Sequence, residues 1–267
     1  MDCDLRNCLW NAVLYTIKKM PSNSEYEYRG HADRMRIQIW TKFLKMPCDA
    51  MYGITEDSNK FWHIVRQWYF NTSRLWYETY EFLEALWLYL PDQVLKSHCA
   101  NCLNTELSDE KAAYSFFAGN FVPMTKSMEL SEIEKSANLE GLNMQTVAAH
   151  IKAAIRCFSA KPTPDYANSM KESISAVEAI CKFISGMEDA TLHPALENTV
   201  SKLGIHLEVS AAIKGIYKYT NDESGIRHAR KNNTELQQED ARFLLVTCSS
   251  FVNLVAEKAR RLGLIPK

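Results

Sequence analysis

Thr163-Pro164-Asp165-Tyr166-Ala167-Asn168-Ser169-Met170-Lys171-Glu172-Ser173-Ile174-Ser175-Ala176-Val177-Glu178-Ala179-Ile180-Cys181-Lys182-Phe183-Ile184-Ser185-Gly186 reads as one long helix with both of its ends marked. A proline near a first turn is favourable because its fixed φ suits the helix and its missing N–H is not needed there, and Gly186 supplies the stop. Met170, Ile174, Val177, Cys181 and Ile184 fall on one stripe of that helix. Glu178 lies one turn from Ile174, so a carboxylate sits on the stripe. Burying a lone carboxylate is costly, so either a cation or donor lies nearby or Glu178 sits at the stripe's edge and reaches water.

The same periodicity extends outward in both directions. Val147, Ile151, Ala154, Ile155 and Phe158 predict a helix over about 144–158, and further helices follow over about 194–203, 207–219 and 237–262. Before them, Leu5, Leu9, Val13 and Ile17 predict a helix that stops at Met20-Pro21, and Met35, Ile39, Phe43 and Leu44 one that stops before Pro47. Two more are expected around 57–70 and 74–90, and no strand is predicted. Nine Gly and eight Pro in 267 residues are too few for a β-sandwich or barrel with a turn every ~8–12 residues, so the fold class is all-α.

A chain of this length makes one large domain or two of about 130 residues. Aromatic residues favour two. All six Trp lie within residues 10–87 and 18 of the 29 aromatics precede residue 90, so a bulky core is followed by one of Ala, Ile, Leu, Val and Ser. The domains are expected at 1–140 and 141–267, joined somewhere in 120–142. The Trp/Tyr stripe could be a base-stacking platform, but its helical spacing among Glu78, Glu81 and Glu84 points to core packing.

Composition excludes several classes. With 46% hydrophobic and 24% charged residues the chain is neither disordered nor of low complexity. No apolar run approaches the ~18–20 residues that cross a bilayer, and the acidic start Met1-Asp2-Cys3-Asp4 lacks the positive region of a secretory signal. No membrane association and a cytoplasmic location are therefore expected. In that compartment the eight cysteines read as reduced packing thiols. Cys99-Ala100-Asn101-Cys102 is a lone CxxC without the second pair that a structural zinc site needs, so neither a metal nor another cofactor is expected. GxGxxG, GxxxxGK[ST] and HExxH are all missing, which argues against nucleotide, P-loop and zincin chemistry.

The two halves differ mildly in charge, with 15 basic against 19 acidic residues in 1–140 and 16 against 13 in 141–267. Any contact with nucleic acid must then be local, because affinity for phosphate needs clustered Lys and Arg. The densest cluster is Gly225-Ile226-Arg227-His228-Ala229-Arg230-Lys231, between the last two predicted helices. His228 can exchange a proton near neutral pH, while Arg227, Arg230 and Lys231 can hold phosphate oxygens. Metal-free RNA cleavage needs those parts: a base for the 2′-hydroxyl, an acid for the leaving oxygen, and positive charge on the phosphorane. Read alone, the same run is also an ordinary solvated loop. Of the other histidines, His150 reads as packed or hydrogen-bonded, and His31, His63, His193 and His206 as solvated.

Several segments in order carry a resemblance. Lys171-Glu172-Ser173-Ile174 through Lys182, His193-Pro194-Ala195-Leu196, Gly225-Ile226-Arg227-His228-Ala229 and Asp240-Ala241-Arg242-Phe243 through Asn253 resemble the C-terminal region of AbiJ-type abortive-infection proteins. Leu5-Arg6-Asn7-Cys8-Leu9-Trp10-Asn11 and Trp76-Tyr77-Glu78-Thr79-Tyr80-Glu81-Phe82 look like the N-terminal domain of that family, and the lead segment that usually precedes Leu5 in relatives is expected to be lacking. The resemblance implies a C-terminal HEPN domain, a helical bundle that dimerises, many members being metal-independent endoribonucleases in phage defence. It implies single-stranded RNA or a tRNA loop as substrate and a homodimer through the C-terminal domain. His228 matches the family's histidine. The arginine that stands four to six residues upstream in the family would fall at Asn221, Asp222 or Glu223, and none of these is arginine. Either a rearranged pair of Arg227 and His228 acts, with Glu178, Asn221 and Asp222 in support, or cleavage is lost and the chain is a non-catalytic module that binds a nucleotide or a partner.

Overall fold

The computed structural model describes residues 2–20, 26–51, 53–54, 56–124, 126–139, 144–221 and 236–266. The fold is all-α, with eleven α-helices among the described residues and one small hairpin. Two compact units divide at Pro123 and Met124.

The first unit carries α1 (Cys3–Lys18), α2 (Tyr26–Gln38), α3 (Ser58–Tyr69), α4 (Trp76–Tyr89) and α5 (Gln93–Asp109). Asp2, Asp57 and Asp92 cap three of these helices, each carboxylate accepting a first-turn N–H. After α2 the chain widens into a π-turn over Ile39–Phe43, where the Leu44 N–H reaches back five residues to the Ile39 carbonyl at 2.8 Å. This turn seats Trp40 in the core, its indole N–H donating to the Pro47 carbonyl at 3.0 Å. Aromatic packing is the theme. The Trp10 ring lies 4.9 Å from Tyr69 and 6.5 Å from Phe82, and Phe43 and Trp68 close on Phe82 at 5.6 and 5.8 Å. Most of the aromatic stripe is thus core wall, as its spacing predicts, whereas Leu75 and Trp76 at the start of α4 are exposed.

The strands were not predicted. β1 (Ser115–Phe117) and β2 (Asn120–Val122) form an antiparallel pair joined by Ala118 and Gly119, both with positive φ. Gly119 is required twice over, since a Cβ there would also stand 2.6 Å from the Trp87 ring. The hairpin turns Phe121 onto Tyr80, with the rings stacked at 4.1 Å.

The second unit carries α6 (Ser127–Ala137), α7 (Gln145–Phe158), α8 (Tyr166–Ser185), α9 (Leu192–Leu203), α10 (Leu207–Asn221) and α11 (Gln238–Arg261). Helix α6 packs on α7 and α11 and so belongs here by contact, although the sequence reading places residues up to 140 in the first domain. α8 is the central rod, packed by α7, α9, α10 and α11. Asp165 caps it and Gly186 ends it in the left-handed region at φ 75°. Every residue of its predicted stripe is buried, together with Ser169, Ser173 and Ala176. Those small residues let the neighbours come close enough for hydroxyl-to-carbonyl bonds between helices: Ser169 Oγ donates to Ala154 O at 2.9 Å, and Thr199 Oγ1 donates to Cys181 O at 3.1 Å. Asn253 of α11 donates to both the carbonyl and the carboxylate of Glu132 on α6. Among the described residues no helix is long and apolar enough to cross a membrane.

Candidate functional site

Arg227, His228, Arg230, Lys231, Asp222 and Glu223 lie outside the described residues, and Asn221 is the last residue of α10. What can be built is the frame that holds the two ends of that segment. α10 delivers the chain to Asn221, with Thr220 buried and its hydroxyl donating to the Tyr217 carbonyl at 2.9 Å. α11 receives it at a capping box, where the Gln237 N–H donates to Asp240 Oδ2 at 3.1 Å. Tyr219 and Asp240 line a recess of about 430 Å³ with Met170 and Phe243, between α8, α10 and α11. Burial first and the Asp240 carboxylate second push the Tyr219 hydroxyl above its ordinary pKa.

Glu178 resolves the choice that its position on the stripe leaves open, and in both ways at once. Its side chain is 28% exposed, at the edge of the stripe, and the ammonium of Lys182, one turn on, stands 2.8 Å from its Oε1. The pair faces Tyr217 of α10, whose hydroxyl is pushed up by burial first, then by Glu178, with Lys182 opposing. Glu178 is therefore beside α10, four residues before that helix ends. The distance from Glu178 to Arg227 and His228 lies outside the described residues.

The same pair lines a groove of about 400 Å³ between α7 and α8 that sequence reading missed. Met144, Val147 and Phe183 form its apolar walls, and His150, Glu178, Lys182 and Glu188 its polar ones. His150 is hydrogen-bonded, as expected, its Nδ1 lying 2.7 Å from Glu172 Oε2. That contact between Nδ1 and the carboxylate holds the ring in place, with the imidazole lining the groove. Lys171-Glu172-Ser173 could have been a merely solvated face, and the link from Glu172 to a histidine 22 residues earlier has no local signal.

Cys99, Cys181 and Cys248 are buried packing thiols, whereas Cys3 and Cys48 are exposed. Burial pushes Cys181 and Cys248 up to about 12 and Cys99 up to about 11, so none is a thiolate near neutral pH. The CxxC pair rides on α5, where Cys102 Sγ lies 3.5 Å from His98 Nε2, and no group of three metal-ligating side chains occurs among the described residues.

Comparison with known families places the first unit. The family described as AbiJ N-terminal domain 4 matches residues 1–139, which take in all five helices of the aromatic unit, the hairpin and α6. No curated protein and no solved structure matches the chain. Over more than half of its length, this chain belongs to the AbiJ family of abortive-infection proteins.

Proposed function

We propose that the chain is an abortive-infection effector that acts on RNA through its second unit, a HEPN-type bundle, with the segment from Gly225 to Lys231 as the working loop. Membership in the AbiJ family carries this reading. The cationic run supplies the chemistry. His228 takes the proton of a 2′-hydroxyl, the 2′-oxygen attacks phosphorus, and the 5′-oxygen leaves with a proton returned by an imidazolium, giving a 2′,3′-cyclic phosphate. Arg227 holds the charge that gathers on the equatorial oxygens, and Arg230 and Lys231 hold the flanking phosphates. No metal is needed for these steps. Single-stranded RNA or a tRNA loop suits them, because an unstacked strand lets the 2′-oxygen line up with the leaving group. Two copies meeting through this unit would pair their loops, and the cytoplasm is where such a substrate is met.

A non-catalytic reading is favoured by one observation: Asn221, Asp222 and Glu223 stand where the family's arginine would be. The loop would then bind a nucleotide or a partner without cutting RNA. Incubating the purified chain with total RNA in EDTA separates the two. Cleavage that survives EDTA and disappears in His228→Ala supports the nuclease; intact RNA that is still bound supports the module.

A further inference from the structure

We propose that the α7/α8 groove is a binding site for a nucleobase with an exocyclic amine, presented by a free nucleoside or by an unstacked nucleotide whose phosphates stay outside. Its volume of about 400 Å³ falls within the ~300–1,000 Å³ of small-molecule sites. The polar lining decides what kind of molecule fits. Glu178 and Glu188 offer carboxylate oxygens, and His150, with Nδ1 tied to Glu172 at 2.7 Å, offers its other ring nitrogen as a hydrogen-bonding group. Among the described residues of the lining the one ammonium is Lys182, already shared with Glu178 at 2.8 Å. A phosphate entering here would meet two carboxylates and a cation half spent, so an anion is disfavoured. A donor-rich neutral ligand fits better. An exocyclic NH₂ donates to the carboxylates, a ring nitrogen accepts from Lys182, and a ribose hydroxyl, which can donate or accept, pairs with His150.

The walls select a flat body. Phe183, 44% exposed at the mouth, and buried Met144 put an aromatic face and a polarisable sulfur on the groove, both of which favour a π-surface over an alkyl chain. Base stacking on aromatics is tolerant of sequence, so the discrimination here comes from the amine. The site extends the RNA reading and shares Glu178 with it, and it rests on that reading only where the base is borne by a strand.

The test is calorimetric titration of the full chain with adenosine, with spermidine and orthophosphate as competing chemistries. Saturable adenosine binding is expected, weakened about tenfold or more in Phe183→Ala and in Glu178→Gln, both partly exposed positions whose replacement leaves the melting curve in place. Displacement of adenosine by a single-stranded oligonucleotide assigns the base to a strand, and failure to displace it assigns it to a free nucleoside; either supports the site. His228→Ala keeps adenosine affinity even where RNA cleavage is lost, so this inference and the loop reading fail separately. Absence of adenosine binding, equal affinity in both variants, or a groove that takes spermidine or orthophosphate instead would overturn the proposal.

Discussion

The two units solve the same packing problem with opposite materials. The first fills its core with rings, Trp10, Tyr69, Phe82 and Phe61 among them, whose size keeps helices apart and whose edges and faces interlock. The second uses Ala, Ser, Val and Cys on α8 and ties its helices by hydroxyl and amide bonds to main-chain carbonyls. An aromatic core is sensitive to lost volume, and a close-packed small-residue core to lost hydrogen bonds. The family match ends at residue 139, after the ring-filled unit, whereas the chain's densest cationic run lies in the other. One region records kinship, and the other bears the loop to which we assign the proposed chemistry.

Because all six Trp lie in residues 10–87, their fluorescence follows the first unit alone, while circular dichroism follows both. Phe82→Ala should lower stability by about 3–5 kcal/mol and move the fluorescence transition with it. An effect below ~1 kcal/mol would mean that the rings are not the source of that unit's stability. Gly119→Ala should cost about 1–3 kcal/mol in the same signal, because the added Cβ collides with Trp87 and the turn needs positive φ. Asn253→Ala removes both bonds to Glu132 and should cost about 1–2 kcal/mol, seen by circular dichroism but not by fluorescence. Ser169→Ala leaves the Ala154 carbonyl with its backbone partner alone and should cost about 1 kcal/mol.

Acid titration gives a smaller, signed effect. Lys135 first and Asn253 next hold the Glu132 carboxyl below its ordinary pKa. A carboxyl lower in the folded state adds stability above its unfolded value of about 4.3, and this is lost as pH falls through the folded value. Melting temperature followed from pH 6 down to 3 should therefore fall less steeply in Glu132→Gln than in the parent chain. Equal slopes would mean that Glu132 does not contribute.

Much of this was legible in the sequence where one face of a helix is buried. The ends of α8, its stripe and α9 to α11 follow from period, Asp165 and Gly186. α5 is harder to see, because its buried face, Leu95, Cys99, Leu103 and Leu107, reads as a stripe only when a cysteine counts as apolar among Asn, Ser and Thr. α6 offers Ile133 and Ala137 and little else, and the hairpin turns on Ala118-Gly119, a weaker signal than Asn-Gly. At the candidate site, the stripe left open whether Glu178 is paired or sits at the edge, and the structure shows both. The pairing of His150 with Glu172 could not be anticipated, since it depends on how α7 lies against α8.

The central claim is that the loop bearing Arg227 and His228 recognises RNA, whether or not it cuts. Fluorescence anisotropy with a 2′-O-methyl single-stranded oligonucleotide, which binds but cannot be cleaved through its 2′-oxygen, tests this directly. The account predicts saturable binding that weakens about tenfold or more when Arg227 and His228 are both replaced by Ala, with the melting transition unchanged. Binding of equal strength in the doubly substituted chain, or none in the parent, would contradict it.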